Sequence, residues 1–565
     1  MQKKWNILSA NQESGIRNQE DKTKEIVDIL FVNRGLSTKK ERESFLHPKL
    51  EGVTFKSVGI DEKEVKKTTD RLKKAKDDGE QVMVYGDYDV DGITGAAILW
   101  ETLNDIGIKV MPYIPHRTLE GYGLSEKGID NLLVLYPETS LIITVDNGIV
   151  ANNAVDKAKK LGIDTIITDH HVADAENHEL PQSFALVHTT VLCGAGVAWL
   201  LGHELRKVFN TVDKNKEDIH LELATLGTVA DLVPLTHANR AIVYHGLSAL
   251  CSTSRLGLKA LYAQAAITAE TIGVYQIGHV IGPRLNASGR LESAMDSLRL
   301  LCTTDKNRAK ELAEKLGLIN LERQKVMFEA TTHALSKVRE VKGTKKIIII
   351  DHDSYPEGVI GLVAGKLVEE FYLPAIVIAK GEKLSKGSVR SIKGFNIIEF
   401  LRSSSELFVN VGGHPMAAGF TIETEKIEEL KTVLEAKVEE FIKEEVLQRS
   451  LTIDTQLSLN AITPELYSSI QSLAPFGMGN PEPTFVSRHV LIREKRIIGK
   501  DRKHLRFILQ QDDRKIFEAI AFGMAERSSE LEDDSFADIV YVIDENTWNG
   551  NTKLQLKIKD IKVTS

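Results

Sequence analysis

Three carboxylates alternate over five residues in Gly86-Asp87-Tyr88-Asp89-Val90-Asp91-Gly92, directly after the apolar run Val82-Met83-Val84-Tyr85. So much negative charge in one place is costly unless a cation neutralises it, and hard divalent cations take oxygen ligands. An EF-hand loop opens the same way, but it needs a bidentate Glu at its twelfth position. Counted from Asp87, that position is Ile98, and the cluster follows a strand-like run rather than a helix. No Gly-Lys-Ser/Thr follows the glycines, which removes a P-loop.

The elements around the cluster suggest how a site could be completed. Val82–Tyr85, Lys109–Ile114, Leu141–Val145 and Thr165–Thr168 are short apolar or β-branched runs, as buried parallel strands are. Between them lie helical stretches such as Thr94–Leu103 and Ala151–Leu161, the latter ending at Gly162. The rhythm predicts a doubly wound α/β sheet, whose ligand sites lie beyond the carboxyl ends of the strands. Asp146-Asn147-Gly148 follows the third run and Asp169-His170-His171 the fourth, so three strand ends deliver Asp or His to one edge. Singly, Asp146 reads as a turn residue and either histidine as structural. Together they fit a two-metal site, with cations roughly 3.5–4 Å apart. Oxygen-rich ligation with one or two imidazoles suits Mn²⁺ or Mg²⁺ better than structural zinc.

The bulk sequence constrains the setting. A chain of 565 residues divides into several domains, and 42% hydrophobic with 27% charged residues is ordinary for a globular protein. Three cysteines without a CxxC pair argue against a disulfide framework or a thiolate zinc site. The N-terminus lacks the apolar stretch of a signal peptide, and no apolar run is long enough to span a bilayer. The expectation is a cytoplasmic protein. A formal net charge of −8 speaks against a uniformly basic surface but leaves room for a local basic groove.

Further along, apolar helices are expected around Gly196–Phe209, His220–Val229 and Arg240–Leu250. Arg308 to Arg339 is charged and helical in pattern, and reads as a helix linking two domains. Lys346–Ile350, Val359–Phe371 and Ala375–Ala379 give strand, helix and strand of a second α/β unit, which a charged helix over 424–445 closes. From Leu451, alternating segments at Val490–Arg496, His504–Gln510 and Ala537–Ile543 predict a small all-β module. The boundaries are set at 1–307, 308–339, 340–448 and 449–565.

Asp169-His170-His171 with the Gly86–Gly92 motif resembles the DHH phosphoesterase superfamily. Further segments narrow the resemblance to its RecJ family of single-stranded-DNA exonucleases. They are Phe45-Leu46-His47-Pro48, Ile114-Pro115-His116-Arg117, Glu120-Gly121-Tyr122-Gly123-Leu124-Ser125 and Cys193-Gly194-Ala195-Gly196-Val197-Ala198. Gly227 through Pro234 and Gly282 through Arg290 continue the series. Gly358-Val359-Ile360-Gly361, Ser388-Val389-Arg390-Ser391 and Gly412 through Gly419 look like the DHH-associated domain. Pro475-Phe476-Gly477-Met478-Gly479-Asn480-Pro481 resembles the start of the family's OB-fold. The match runs in order from about residue 45 to the last residue. One departure stands out: Tyr355-Pro356 occupies the place of the family's Trp-His pair. Asp351-His352-Asp353 reads as loop polarity rather than a second metal site.

The resemblance implies a DHH-type parallel-sheet domain, a long linker helix, a smaller α/β DHH-associated domain and a C-terminal OB-fold. It implies that Asp89 and Asp146 hold one ion with Asp87 close by, as ligand or as neighbour. Asp91, Asp146, His170 and Asp231 would hold the other, making Asp146 the bridge. Asp231 alone reads as a helix-end residue, and only the resemblance promotes it. His171 would face the scissile phosphate, with Asp146 and Asp169 completing the catalytic set. Arg117, Arg284, Asn286 and Arg290 would contact phosphates, and Ser388, Arg390 and His414 would bind the terminal 5′-phosphate and its neighbourhood. In the all-β module Arg496, Lys503, His504 and Arg506 are groove candidates, with Phe507 and Phe522 as stacking rings. The implied activity is metal-dependent 5′-to-3′ hydrolysis of single-stranded DNA to 5′-mononucleotides, in repair and recombination. Implied partners are DNA with a free 5′ end, a single-strand-binding protein and a helicase, acting on a monomer. The alternative is a DHH phosphodiesterase acting on short oligoribonucleotides or small nucleotides.

Overall fold

Gln81–Gly86 is buried at every position and forms an inner strand of a five-stranded parallel sheet. The structure is a computed structural model that describes residues 3–9, 19–117, 119–173, 179–211, 220–340, 345–512, 515–548 and 550–564. The strands lie in the order Val110–Tyr113, Gln81–Gly86, Thr139–Val145, Asp164–Asp169, Ala185–His188. Counted along the chain, that is second, first, third, fourth, fifth. The first and third strands are neighbours, and connections leave them in opposite directions. Their carboxyl ends open the crevice where such sheets bind ligands.

The chain divides into two compact units. The larger, Leu50–Val233 with Ala241–Gln448, holds the parallel sheet. Helices Glu126–Leu135 and Asn152–Lys160 cover one face through Ile129, Leu132, Ala154 and Val155, packed on Met83, Tyr85 and Ile142. Helix Lys306–Glu340 then leads to a mixed sheet ordered Asn410–His414, Ala417–Glu423, Leu384–Arg390, Ala375–Ala379, Ile348–His352. Only the last two of these strands are parallel. Helix Ile360–Phe371 fills the space between this sheet and Ala330 and Ala334 of the long helix.

The smaller unit is Met1–Lys49, Pro234–Arg240 and Arg449–Ser565. Strands Phe485–Ile498, His504–Gln511, Lys515–Ala521, Asn551–Thr564 and Ser535–Trp548 close on themselves as a five-stranded barrel. The N-terminal strand Lys4–Ser9 pairs in parallel with Ser450–Gln456, which in turn extends the barrel sheet. Arg240, fully buried, donates to Phe45 O and Ala474 O at 2.7 Å each, tying the unit's three segments together. The three cysteines are free, and no helix among the described residues is long and apolar enough to cross a membrane.

Candidate metal centre

A different backbone device places each acid. Asp87 continues its strand, its N–H donating to Val145 O at 3.2 Å. Asp89 caps helix Val90–Asp105, its Oδ1 accepting from Asp91 N–H at 2.9 Å and Gly92 N–H at 3.1 Å, which satisfies otherwise orphaned donors. Both oxygens of Asp91 accept from the first turn of helix Gly194–Val208: Oδ2 from Gly194 N–H at 2.6 Å and Oδ1 from Ala195 N–H at 2.8 Å. The amide dipoles there favour a negative charge.

Asp146 turns out of its strand at φ 64°, a left-handed conformation unusual for a residue with a side chain. Gly194 packs so close that a Cβ on it would lie 2.5 Å from the Asp146 Cβ, so this contact requires glycine. Asp231 ends helix Leu221–Ala230, where the helix dipole disfavours a carboxylate. His170 reaches into the middle: its Nε2 is 3.0 Å from Asp146 Oδ1 and 3.6 Å from both Asp91 Oδ2 and Asp231 Oδ2.

These atoms form groupings within 4.8 Å that suit a metal ion: Asp87, Asp89 and Asp146; Asp91, His170 and Asp231; Asp146, His170 and His171. Asp146 belongs to the first and the third, next to His170 of the second. Burial pushes the carboxyls of Asp87 and Asp146 well above the usual range, and the neighbouring acids add to it. Asp89 and Asp231 are raised for the same two reasons. Asp87 Oδ1 is buried without a hydrogen-bond partner, and the buried Asp146 Oδ1 has only the His170 ring nitrogen close by, at 3.0 Å and outside hydrogen-bond alignment. Buried oxygens normally find partners, and an orphan calls for one. Crowded carboxylates with an orphaned oxygen and one neutral imidazole fit divalent cations of the Mn²⁺ or Mg²⁺ type. Burial lowers the affinity of His170 for a proton, which keeps its lone pair available.

Asp169 stands apart from these groupings. Its Oδ1 accepts from the N–H groups of His170 and His171 and lies 2.8 Å from His171 Nδ1, while its Oδ2 accepts from Ile149 N–H. Burial opposes protonation of His171, but the Asp169 carboxylate overcomes it and raises the ring to about 9. The other ring nitrogen, Nε2, meets Tyr122 OH at 3.0 Å. His414 stacks on His171 with ring centroids 5.9 Å apart.

Beside Asp89 lies a group of arginines. Burial, together with the charges of Arg117, Arg323 and Arg390, lowers Arg290 to about 10. Arg117 sits over the Tyr88 ring at 5.0 Å. Ser388 and Arg390 face the first turn of helix Ile360–Phe371, where a Cβ on Gly361 would come within 2.9 Å of Ser388 Oγ and 3.2 Å of Arg390 Nη2. A bare helix N-terminus beside a hydroxyl and a guanidinium makes an anion pocket. Arg284 is engaged with Gln264 Oε1 and Val280 O, both at 2.8 Å. Asn286 Oδ1 accepts from Val90 N–H at 2.9 Å, which steadies the turn that carries Asp89 and Asp91.

In the barrel unit, Arg496 and Arg506 are cross-strand partners, paired with Glu494 and Glu518 respectively. Lys503 is exposed. His504 Nδ1 accepts from Gly523 N–H at 2.9 Å, and its ring meets the exposed Phe522 edge to face. Phe507 is buried in the barrel core, so of the two expected stacking rings only Phe522 faces solvent. Asp351 pairs with Lys431 at 2.5 Å and Lys380 at 3.4 Å, and Tyr355 is buried with its hydroxyl 2.8 Å from His333 Nδ1.

Three participants had no assigned role in the sequence. Tyr122 lies inside a quoted motif, but nothing in its spacing points to His171. Asn147 Oδ1 accepts from Leu124 N–H at 3.0 Å and so links the Tyr122 loop to the Asp146 turn. Arg323 comes from the long helix, where it reads as one surface charge among many, yet it is buried and donates to Asn320 Oδ1.

Three segments match family models: the DHH family N-terminal domain over residues 81–230, the DHHA1 domain over 344–440 and the RecJ OB domain over 453–560. The chain is 36% identical over 550 residues to the single-stranded-DNA-specific exonuclease RecJ of Bacillus subtilis, covering 95% of this chain and 68% of that one. It resembles the crystal structure of Thermus thermophilus RecJ in complex with Mn²⁺ at a TM-score of 0.83 and 27% identity, covering 100% of this chain and 80% of that one. The Mg²⁺ complex of the same protein gives 0.76 and 26%, with 100% and 79% covered.

Proposed function

This chain belongs to the RecJ family, and from that premise we propose that it is a metal-dependent exonuclease of single-stranded DNA. It cuts 5′ to 3′, releasing 5′-mononucleotides by two-metal-ion hydrolysis. The observation that carries the reading is the set of three metal-sized groupings of acids and histidines that share Asp146 and His170, with the buried Asp87 Oδ1 left without a hydrogen-bond partner among them.

Asp89 and Asp146, with Asp87 beside them, would hold one Mn²⁺ or Mg²⁺, and Asp91, Asp146, His170 and Asp231 the other. When bound, the ions supply an activated water at neutral pH and charge neutralisation for the phosphoryl group. The remaining work belongs to the chain. Asp169 fixes the His171 ring through Nδ1, and the protonated ring offers its Nε2–H to a phosphoryl oxygen, easing the charge that builds there. The helix-bound amides of Gly194 and Ala195 hold Asp91 in place throughout. Arg117, Arg290 and Arg390 with Ser388 bind phosphates, and the Ser388–Arg390 pocket takes the terminal 5′-phosphate, which makes cleavage dependent on an end. Arg496, Lys503, His504 and Arg506 of the barrel grip the strand, with Phe522 as a stacking ring.

The setting is DNA repair and recombination in the cytoplasm, with the monomer fed by a helicase and a single-strand-binding protein. The test is incubation with Mn²⁺ and 5′- or 3′-labelled single-stranded DNA, duplex DNA and short RNA. Mononucleotides released at once from the 5′ label, and from single strands only, support the reading. Turnover confined to dinucleotides and trinucleotides favours the small-nucleotide phosphodiesterase instead.

A further inference from the structure

Helices Val90–Asp105 and Leu221–Ala230 pack side by side and run in opposite directions. A Cβ on Gly227 would lie 2.6 Å from Asp91 Oδ1 and 2.9 Å from Thr94 Oγ1, whereas His220 Nε2 meets Glu101 Oε2 at 2.9 Å. Asp91 and Asp231 therefore share one end of the pair, within the same metal-sized grouping. Glu101 and Glu222 share the other, roughly 15 Å away at 1.5 Å per residue.

At that far end a cation already bridges the two carboxylates. Arg255 forks onto Glu101, with Nη1 to Oε1 and Nη2 to Oε2 at 2.7 Å each, and its Nε lies 2.6 Å from Glu222 Oε1. Nη1 also donates to Leu301 O at 3.1 Å. The side chains of Arg255, Glu101, Glu222 and His220 are all largely buried. Despite burial, which opposes it, the Arg255 and His220 bonds hold the Glu101 carboxyl down to about 2. No step of the hydrolysis uses this cluster. A buried ion pair adds little net stability over an apolar replacement, and its best-attested use is to fix register. A planar fork across two helices allows one slide of one along the other, where a point charge tolerates several.

We propose that Arg255 is a positioning residue for the metal centre: by clamping Glu101 to Glu222 it fixes how helix Leu221–Ala230 slides along helix Val90–Asp105, and so presets the spacing of Asp91 and Asp231 before an ion arrives. The helix pair is closed at one end by a guanidinium between two carboxylates, and Asp91 and Asp231 at the other end would hold a metal ion in the same way. The inference rests on the reading that Asp91, His170 and Asp231 hold an ion.

Mn²⁺ titration of the full chain, followed by electron paramagnetic resonance of the free ion, gives a Kd for each bound ion. Calorimetry without metal gives the stability of the fold. Arg255→Lys should weaken one of the two ions by about 10–100-fold, the range for groups that orient ligands, and leave the other within twofold. Glu222→Gln, which keeps a hydrogen-bond acceptor for Arg255, should weaken the same ion by a smaller factor, and it serves if Arg255→Lys fails to fold. Loss of thermal stability with both Kd values unchanged overturns the proposal, since the cluster then only holds the fold together. Equal weakening of both ions overturns it too. A wild-type chain that binds no Mn²⁺ overturns the metal reading itself, a failure distinguishable from the other two.

Discussion

Gly227→Ala adds one methyl group next to the acids, and the distances around it fix its effect. The new Cβ would meet Ala195 Cβ at 2.5 Å, Asp91 Oδ1 at 2.6 Å and Thr94 Oγ1 at 2.9 Å. Three contacts this short on two other helices cannot relax by a rotamer change, so helix Leu221–Ala230 must move off by about 1 Å, at an overpacking cost of about 1–3 kcal/mol. Asp231 rides on that helix, and Asp91 is held by the Ala195 N–H that the methyl group pushes. A misplacement of about 1 Å at a catalytic constellation can cost about 100-fold. The expected outcome is a kcat/KM on single-stranded DNA lowered about 100-fold, while urea denaturation registers a loss within the overpacking range. Activity within twofold of wild type, together with that stability loss, would show that the helix spacing does not set the site's geometry.

Asp146→Asn should reduce turnover below detection yet raise the stability of the metal-free fold, because it removes a buried carboxyl from among four other acids, Asp91, Asp89, Asp87 and Asp169; each unit of raised pKa corresponds to about 1.4 kcal/mol. Urea midpoints in EDTA decide it, and a destabilised variant contradicts the charge-crowding argument. Asp87, Asp89, Asp146 and Asp231 also set a pH dependence. Their folded pKa values lie above their unfolded ones, so the stability they contribute is full below about pH 4 and is lost as pH rises through the folded values. In EDTA the wild type should therefore lose more stability than Asp146→Asn between pH 5 and 8, and saturating Mn²⁺ should remove the difference; equal slopes in EDTA speak against it. Arg390→Ala should raise KM at least about tenfold for 5′-phosphorylated DNA and far less for 5′-hydroxyl DNA, since a charge-assisted bond contributes about 1.5–3 kcal/mol. An equal rise for both ends would remove the terminal phosphate from that pocket.

The acidic core of the site was legible because strand periodicity forces it. A buried parallel strand must end where its apolar run ends, so Asp87, Asp146 and Asp169 could be sent to one edge before any contact was known. The pairing of first and third strands, which makes that edge a crevice, then brings the acids together. Asp231 was not legible as a ligand. It ends a helix, and helix ends carry acids and turn residues for many reasons; spacing does not distinguish it, the family resemblance does, and the structure then puts it beside Asp91 and His170. Arg323 on the long helix and Arg255 just before helix Leu256–Gln264 illustrate the same limit, since arginines look alike in sequence until the packing shows which are buried. Phe507 shares a strand face with Leu505 and Leu509, and an apolar face of that kind packs inward, which is why this ring is in the core and not in a groove. The pairing of Lys4–Ser9 with Ser450–Gln456 joins segments some 440 residues apart and has no local signal at all. The strand expected at 346–350 lies at Ile348–His352, because the continuous apolar run leaves its register open.

The central claim is that the acids around Asp146 hold two divalent cations. Anomalous scattering from a Mn²⁺-soaked crystal tests it most directly. Two peaks are expected roughly 3.5–4 Å apart, one touching Asp89 and Asp146 and the other touching Asp91, His170 and Asp231. A single peak, or ions bound away from Asp146, would contradict it.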